Sequence, residues 1–123
     1  MKLRNNPESP LEIQKEVSVK QEFLEMIKYG RKTVEVRIAY PDLDGISAGD
    51  HIRFRSRRDE VIVRVKAIRR YKSISEVIQN ENTAKIAPQV PLAHLRQLAR
   101  QLFSESHIKI HGLIVIEFEK IES

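Results

Sequence analysis

The stretch YGRKTVEVR, residues 29 to 37, gathers a glycine, a lysine, a glutamate and an arginine within nine positions. An amine held against a carboxylate and a guanidinium can exchange protons when burial lowers its pKa, while the arginine grips a phosphate or polarises a carbonyl. Fully charged, the same trio of Lys32, Glu35 and Arg37 is a set for recognising a base and a phosphate. On strand parity Glu35 and Arg37 project from one side and can pair, which at a surface is a minor stabiliser. The same alternation puts Lys32 with Val34, opposite Glu35, so a twist just after Gly30 is needed to bring the lysine round.

Little else in the chain has the spacing of a site. The absence of cysteine removes disulfides, thiol catalysis and zinc sites built on sulfur, and it fits a reducing, cytoplasmic compartment. His107 and His111 stand four apart, but HIKIHG reads as the entrance to a strand, where residues four apart are well separated and hold no metal. His51 and His94 have no spaced partner. The four glycines are isolated, so there is no glycine-rich phosphate loop. No cofactor or metal is called for. No apolar stretch follows MKLRNNPESP, and we expect neither a signal peptide nor a membrane span.

Charge is unevenly distributed. The chain carries a formal +5 and a sequence pI of about 9.6. From His51 to Lys72 there are nine Lys or Arg against Asp59 and Glu60; nine minus two is +7, leaving −2 for the remainder. A basic segment of this kind is a candidate contact for a polyanion, with Arg53, Arg55, Arg64 and Lys66 on its strands.

The elements that must position these residues follow from periodicity. Residues 1–10 are polar, contain two prolines and read as a loosely held tail; residues 11–123 are of a size for one domain. Leu11, Ile13 and Val17 share one parity as a strand. Ser18 with Gln21 has capping-box spacing and predicts a helix start, Val19, Phe23, Met26 and Ile27 give its apolar stripe, and Gly30 ends it. Lys32 to Ala39 alternates as a half-buried strand, and Pro41 to Gly49 is turn chemistry. HIRFR and Glu60 to Arg69 form a hairpin through SRRD, with Ile62 and Ile68 expected on its outward face. Ser73 with Glu76 predicts a second helix over Ile74 to Ile78. QNENTAKIAP reads as a loop, Pro91 opens a leucine-striped helix to about Phe103, and a buried strand begins near Leu113. This order predicts an α+β fold, a small mixed β-barrel with three helices packed around it.

The sequence resembles the ASCH (activating-signal-cointegrator homology) domains, whose fold is like that of the PUA RNA-binding domains. The carriers are Gly30, Lys32, Glu35 and Arg37 in the pattern G-x-K-x-x-E-x-R, then Gly49 and Asp50 before the next strand. Tyr71, Ser73 and Glu76, an IAP loop, a helix and a closing aliphatic strand follow in the family's order. The resemblance implies a PUA-like barrel with a cleft between barrel and helices, lined by the motif residues and fitted for RNA, a nucleotide or a modified nucleoside. One subgroup hydrolyses the acetyl group of N4-acetylcytidine with the motif lysine, a threonine and a later glutamate. Here Glu35 occupies the threonine's place, Thr33 comes two residues early, and Glu81 in QNENT is the candidate for the later glutamate. Ribonuclease-like activity is also associated with the family.

The expectation is an RNA- or nucleotide-binding domain using Lys32, Glu35 and Arg37 in a cleft, with Arg53, Arg55, Arg64 and Lys66 as backbone contacts. The alternatives are a hydrolase, an N4-acetylcytidine amidohydrolase or a ribonuclease using Lys32, Glu35 and Glu81, and a protein-interaction module. No membrane partner is expected.

Overall fold

A computed structural model of the chain describes residues 11–121; the tail expected over 1–10 lies outside the described residues. Alternating apolar residues build five strands: β1 (Lys15–Ser18), β2 (Val34–Ile38), β3 (His51–Ser56), β4 (Asp59–Tyr71) and β5 (Leu113–Lys120). They form one mixed sheet in the order β1-β3-β4-β5-β2, with β1 parallel to β3 and every other pair antiparallel. The helices are α1 (Gln21–Lys28), α2 (Ile74–Asn80), α3 (Thr83–Ile86), α4 (Leu92–Leu102) and α5 (Glu105–His111). The fold is α+β, a half-barrel with helices around it, as expected, though with five α-helices among the described residues in place of three. None of the helices described is long and apolar enough to cross a membrane.

Each face of the sheet has its own core. Ile52, Phe54, Val63, Val65, Ile116 and Phe118 point inward and are covered by Leu24 and Ile27 of α1. Val34, Val36, Ile38, Leu113 and Val115 point outward and are covered by Val77 of α2, with Ile86, Phe103 and Ile108 packed against them. β5 is buried on both faces from Leu113 to Ile116, which explains its unbroken aliphatic run.

Several local expectations give way to tertiary contacts. Ser18 caps nothing: it is held in the β1–β3 ladder opposite Arg55, Val19 N–H continues to the Arg55 carbonyl at 2.9 Å, and α1 starts after an uncapped Lys20. Gly30 ends α1 with φ +76°, as expected. On β4 a register shift between Val65 and Ala67 exchanges the faces, so Ile68 turns inward and packs on the inner core, not outward beside Ile62. The segment read as a loop contains α3, capped by the Asn82 side chain on Ala84 N–H. The segment read as a strand entrance is α5, capped by Ser104 and ended by Gly112.

Candidate nucleotide-binding cleft

Lys32 belongs to the turn that links α1 to β2, and that placement frees it from strand parity. Its N–H donates to the Met26 carbonyl at 3.1 Å, closing the end of α1, while the next N–H, of Thr33, donates to the Lys85 carbonyl of α3 at 3.0 Å. The side chain is 3% exposed, and its ammonium has three acceptors: Val34 O at 2.7 Å, Ile86 O at 2.7 Å and Glu35 Oε1 at 2.9 Å. Each of its three hydrogens therefore has a partner. Phe23 adds its ring at 5.7 Å.

Glu35 is bound from both sides. Arg37 Nε donates to Oε2 at 2.6 Å, opposite the contact from Lys32 to Oε1. Burial pushes the Glu35 carboxyl up, but the charges and hydrogen bonds of Lys32 and Arg37 outweigh it and hold the group below the ordinary glutamate value. Arg37 also donates through Nη2 to the Ser18 carbonyl, bridging the two end strands of the sheet, β1 and β2. The trio carries a net +1 at the floor of a cavity of about 440 Å³. Phe23 of α1 forms part of one wall; Ile74 and Ile78 of α2 and Leu98 and Phe103 at α4 form another. The volume lies in the range of small-molecule sites, which combine apolar walls with a few fixed polar groups. Arg37 also lines a second hollow of about 270 Å³ with the polar residues Lys15, Glu16, Tyr40 and Asp42.

The other expected site residues lie elsewhere. Glu81 is absent from the cleft lining: its carboxylate accepts from Arg69 Nε at 2.7 Å, Arg69 Nη2 at 2.8 Å and Tyr71 Oη at 2.6 Å. The Arg69 bond, which leads the Tyr71 bond in effect, keeps Glu81 below the usual carboxylate range. Arg53, Arg55, Arg64 and Lys66 lie outside the cleft lining on the outward sheet face, where neighbouring strands supply carboxylates. Arg53 meets Glu16 at 2.6 Å and Glu60 at 3.2 Å, Arg55 meets Glu16 at 3.4 Å, Arg64 meets Glu119 at 2.5 Å and Lys66 meets Glu117 at 3.9 Å. Four cations thus face four carboxylates, a local balance of zero that the run of residues 51 to 72 does not disclose.

His107 and His111 share one face of α5, with ring centroids 6.3 Å apart, and both meet Tyr40, whose hydroxyl lies 2.6 Å from His107 Nδ1. Among the described residues no group of three or more His, Cys, Asp or Glu is arranged for a metal.

The family model described as "ASCH domain" matches residues 17–122. The chain belongs to the ASCH domain family. Two solved structures of similar size share its fold. The hypothetical protein PH0355 has a TM-score of 0.78 and 31% identity over 87% of this chain and 98% of that one. Protein PF0455 from Pyrococcus furiosus has a TM-score of 0.70 and 34% identity over 88% and 97%. A tyrosine-to-phenylalanine variant of ZmASCH from Zymomonas mobilis matches at TM-score 0.56 and 14% identity over 87% of this chain and 70% of that one, a likeness of fold alone. No curated protein shows significant similarity. The motif residues of this ASCH chain are thus adjacent in space, while Glu81 and the basic strand residues stand apart from them.

Proposed function

We propose that this ASCH domain binds a nucleotide or a nucleotide of single-stranded RNA in the cleft, through the positively charged floor of Lys32, Glu35 and Arg37. The observation that carries the reading is the pinning of Glu35 between Lys32 and Arg37 beneath apolar walls, in a space sized for a small planar ligand. Arg37 keeps N–H donors beyond those given to Glu35 and Ser18, and these suit an anionic or carbonyl group. The polar hollow on its far side offers room for the sugar or the neighbouring nucleotide. A cysteine-free chain of this kind is suited to the cytoplasm.

The saturation of Lys32 supports binding over hydrolysis. To act as a base, its amine must lose a proton and with it one of three bonds, two of them to carbonyls that burial would leave unpaired. Glu35, with an oxygen committed to each cation, is equally engaged. Calorimetric titration with nucleosides and a short single-stranded RNA tests the reading, with Leu98→Arg to fill the cleft. Wild type should bind and the variant should not. Turnover of N4-acetylcytidine or of RNA by wild type, abolished by Lys32→Ala, would establish the hydrolase in its place; absence of both binding and turnover would favour a protein-interaction module.

A further inference from the structure

The cleft is lined by Glu35, Val36 and Arg37, three consecutive residues whose side chains alternate between the two faces of β2. A cavity touching both parities opens on the edge of the strand, where the main chain is presented. The pairing of β2 with β5 fixes which groups those are. Thr33 C=O accepts from Phe118 N–H at 3.0 Å and Ala39 N–H donates to Gly112 C=O at 2.9 Å, in the same register that sets Glu35 opposite Ile116 and Arg37 opposite Ile114. Bonded residues recur every second position of an antiparallel ladder, so the odd-numbered residues use β5 and Val34, Val36 and Ile38 turn their N–H and C=O away from it. Among the described residues the sheet ends there: no strand pairs with β2 on that side, and β1 across the gap is tied to it through the Arg37 side chain.

Two of the three outward carbonyls are already taken. Val34 C=O accepts from Lys32 and Ile38 C=O from Tyr40 N–H at 2.8 Å. Val36 N–H and C=O have no partner among the described residues, in a residue only 8% exposed. Main-chain groups so placed require a partner from water or a ligand.

We infer that Val36 reads the base of the bound nucleotide, its N–H and C=O forming a hydrogen-bonded pair with adjacent acceptor and donor groups on the base's Watson–Crick edge. The inference rests on the reading that the cleft takes a nucleotide. In an extended residue the N–H and C=O point to the same side, and a pyrimidine presents a matching acceptor and donor side by side, O4 with N3–H in uracil or N3 with N4–H in cytosine. The apolar walls at Phe23 and at Leu98 and Phe103 receive the ring faces. An added peptide strand would require a run of free main-chain groups, and with the Val34 and Ile38 carbonyls committed Val36 is the one residue of the three that offers both its N–H and its C=O. One residue is sufficient for a base. Because a base in a duplex has spent this edge on its partner, the site selects single-stranded RNA or free nucleosides.

Neutral methylated nucleosides test this without altering the protein. Uridine and 3-methyluridine, and cytidine and N4,N4-dimethylcytidine, are titrated into the ¹⁵N-labelled chain. The parent nucleosides should shift the Val36 amide, and each methylated partner, which loses the donor, should bind about tenfold or more weakly. Parent and methylated nucleosides binding equally in the cleft, with the Val36 amide unmoved, would overturn the edge readout and leave nucleotide binding standing. No binding of any of the four, while single-stranded RNA is likewise ignored, would overturn both.

Discussion

The Lys32 ammonium lies 2.9 Å from Glu35 Oε1, and the two are joined although strand alternation assigns them to opposite faces. The lysine reaches the glutamate from the turn after α1, with its other hydrogens on the carbonyls of Val34 and Ile86. The same contacts anchor α3 to the strand.

Replacing that ammonium should therefore be costly. Lys32→Met leaves two carbonyls without their donor and a buried carboxylate with Arg37 alone, and it should lower stability by about 3 kcal/mol. Urea unfolding checks this. A loss below about 1 kcal/mol would mean that Lys32 does not organise the floor.

The depressed pKa of Glu35 gives the sign of a pH effect. A carboxyl that titrates lower in the folded chain than in the unfolded one contributes stability that is present above the unfolded value, about 4.3, and is lost as pH falls through the folded value. Comparing wild type with Glu35→Gln by denaturant unfolding from pH 7 down to 3 should show a wild-type advantage that shrinks below about pH 4.3. An advantage that grows on acidification would contradict the assigned direction.

Glu81 should matter to stability and not to the ligand. Its carboxylate fastens the start of the α2–α3 connection to Arg69 and Tyr71 on β4. Glu81→Gln should cost about 1–3 kcal/mol of stability while changing nucleoside affinity less than about twofold. A large loss of affinity in a folded variant would return Glu81 to the site.

Much of this architecture is legible in the sequence because it follows from local rules. Val34, Val36 and Ile38 announce a strand, Gly30 ends a helix, and Ser73 caps α2 by accepting from Glu76 N–H. What escapes is set by neighbours distant in the chain. Ser18 and Gln21 have the spacing of a cap, but pairing with β3 holds Ser18 extended. Ile68 changes face because one extra residue enters β4. The surplus of arginine on β3 and β4 is cancelled by Glu16, Glu117 and Glu119 from β1 and β5. The trio was readable as a motif, while the free edge at Val36 appears only when the order of strands is known.

That cancellation limits the role of the outer face. Phosphates running across it would have to displace carboxylates, so nucleoside and short-RNA binding should depend weakly on salt, with a log–log slope of about 2 or less. Arg53→Ala and Arg64→Ala should change affinity less than about twofold. A steep slope that these variants flatten would restore Arg53, Arg55, Arg64 and Lys66 as backbone contacts.

The most direct measurement is a map of amide shifts as a short single-stranded RNA is titrated into the ¹⁵N-labelled protein. Binding in the cleft predicts that Phe23, Arg37, Leu98 and Phe103 move together, with Arg53 and Arg64 unchanged. Shifts confined to the outer sheet face, with the cleft residues still, would contradict it.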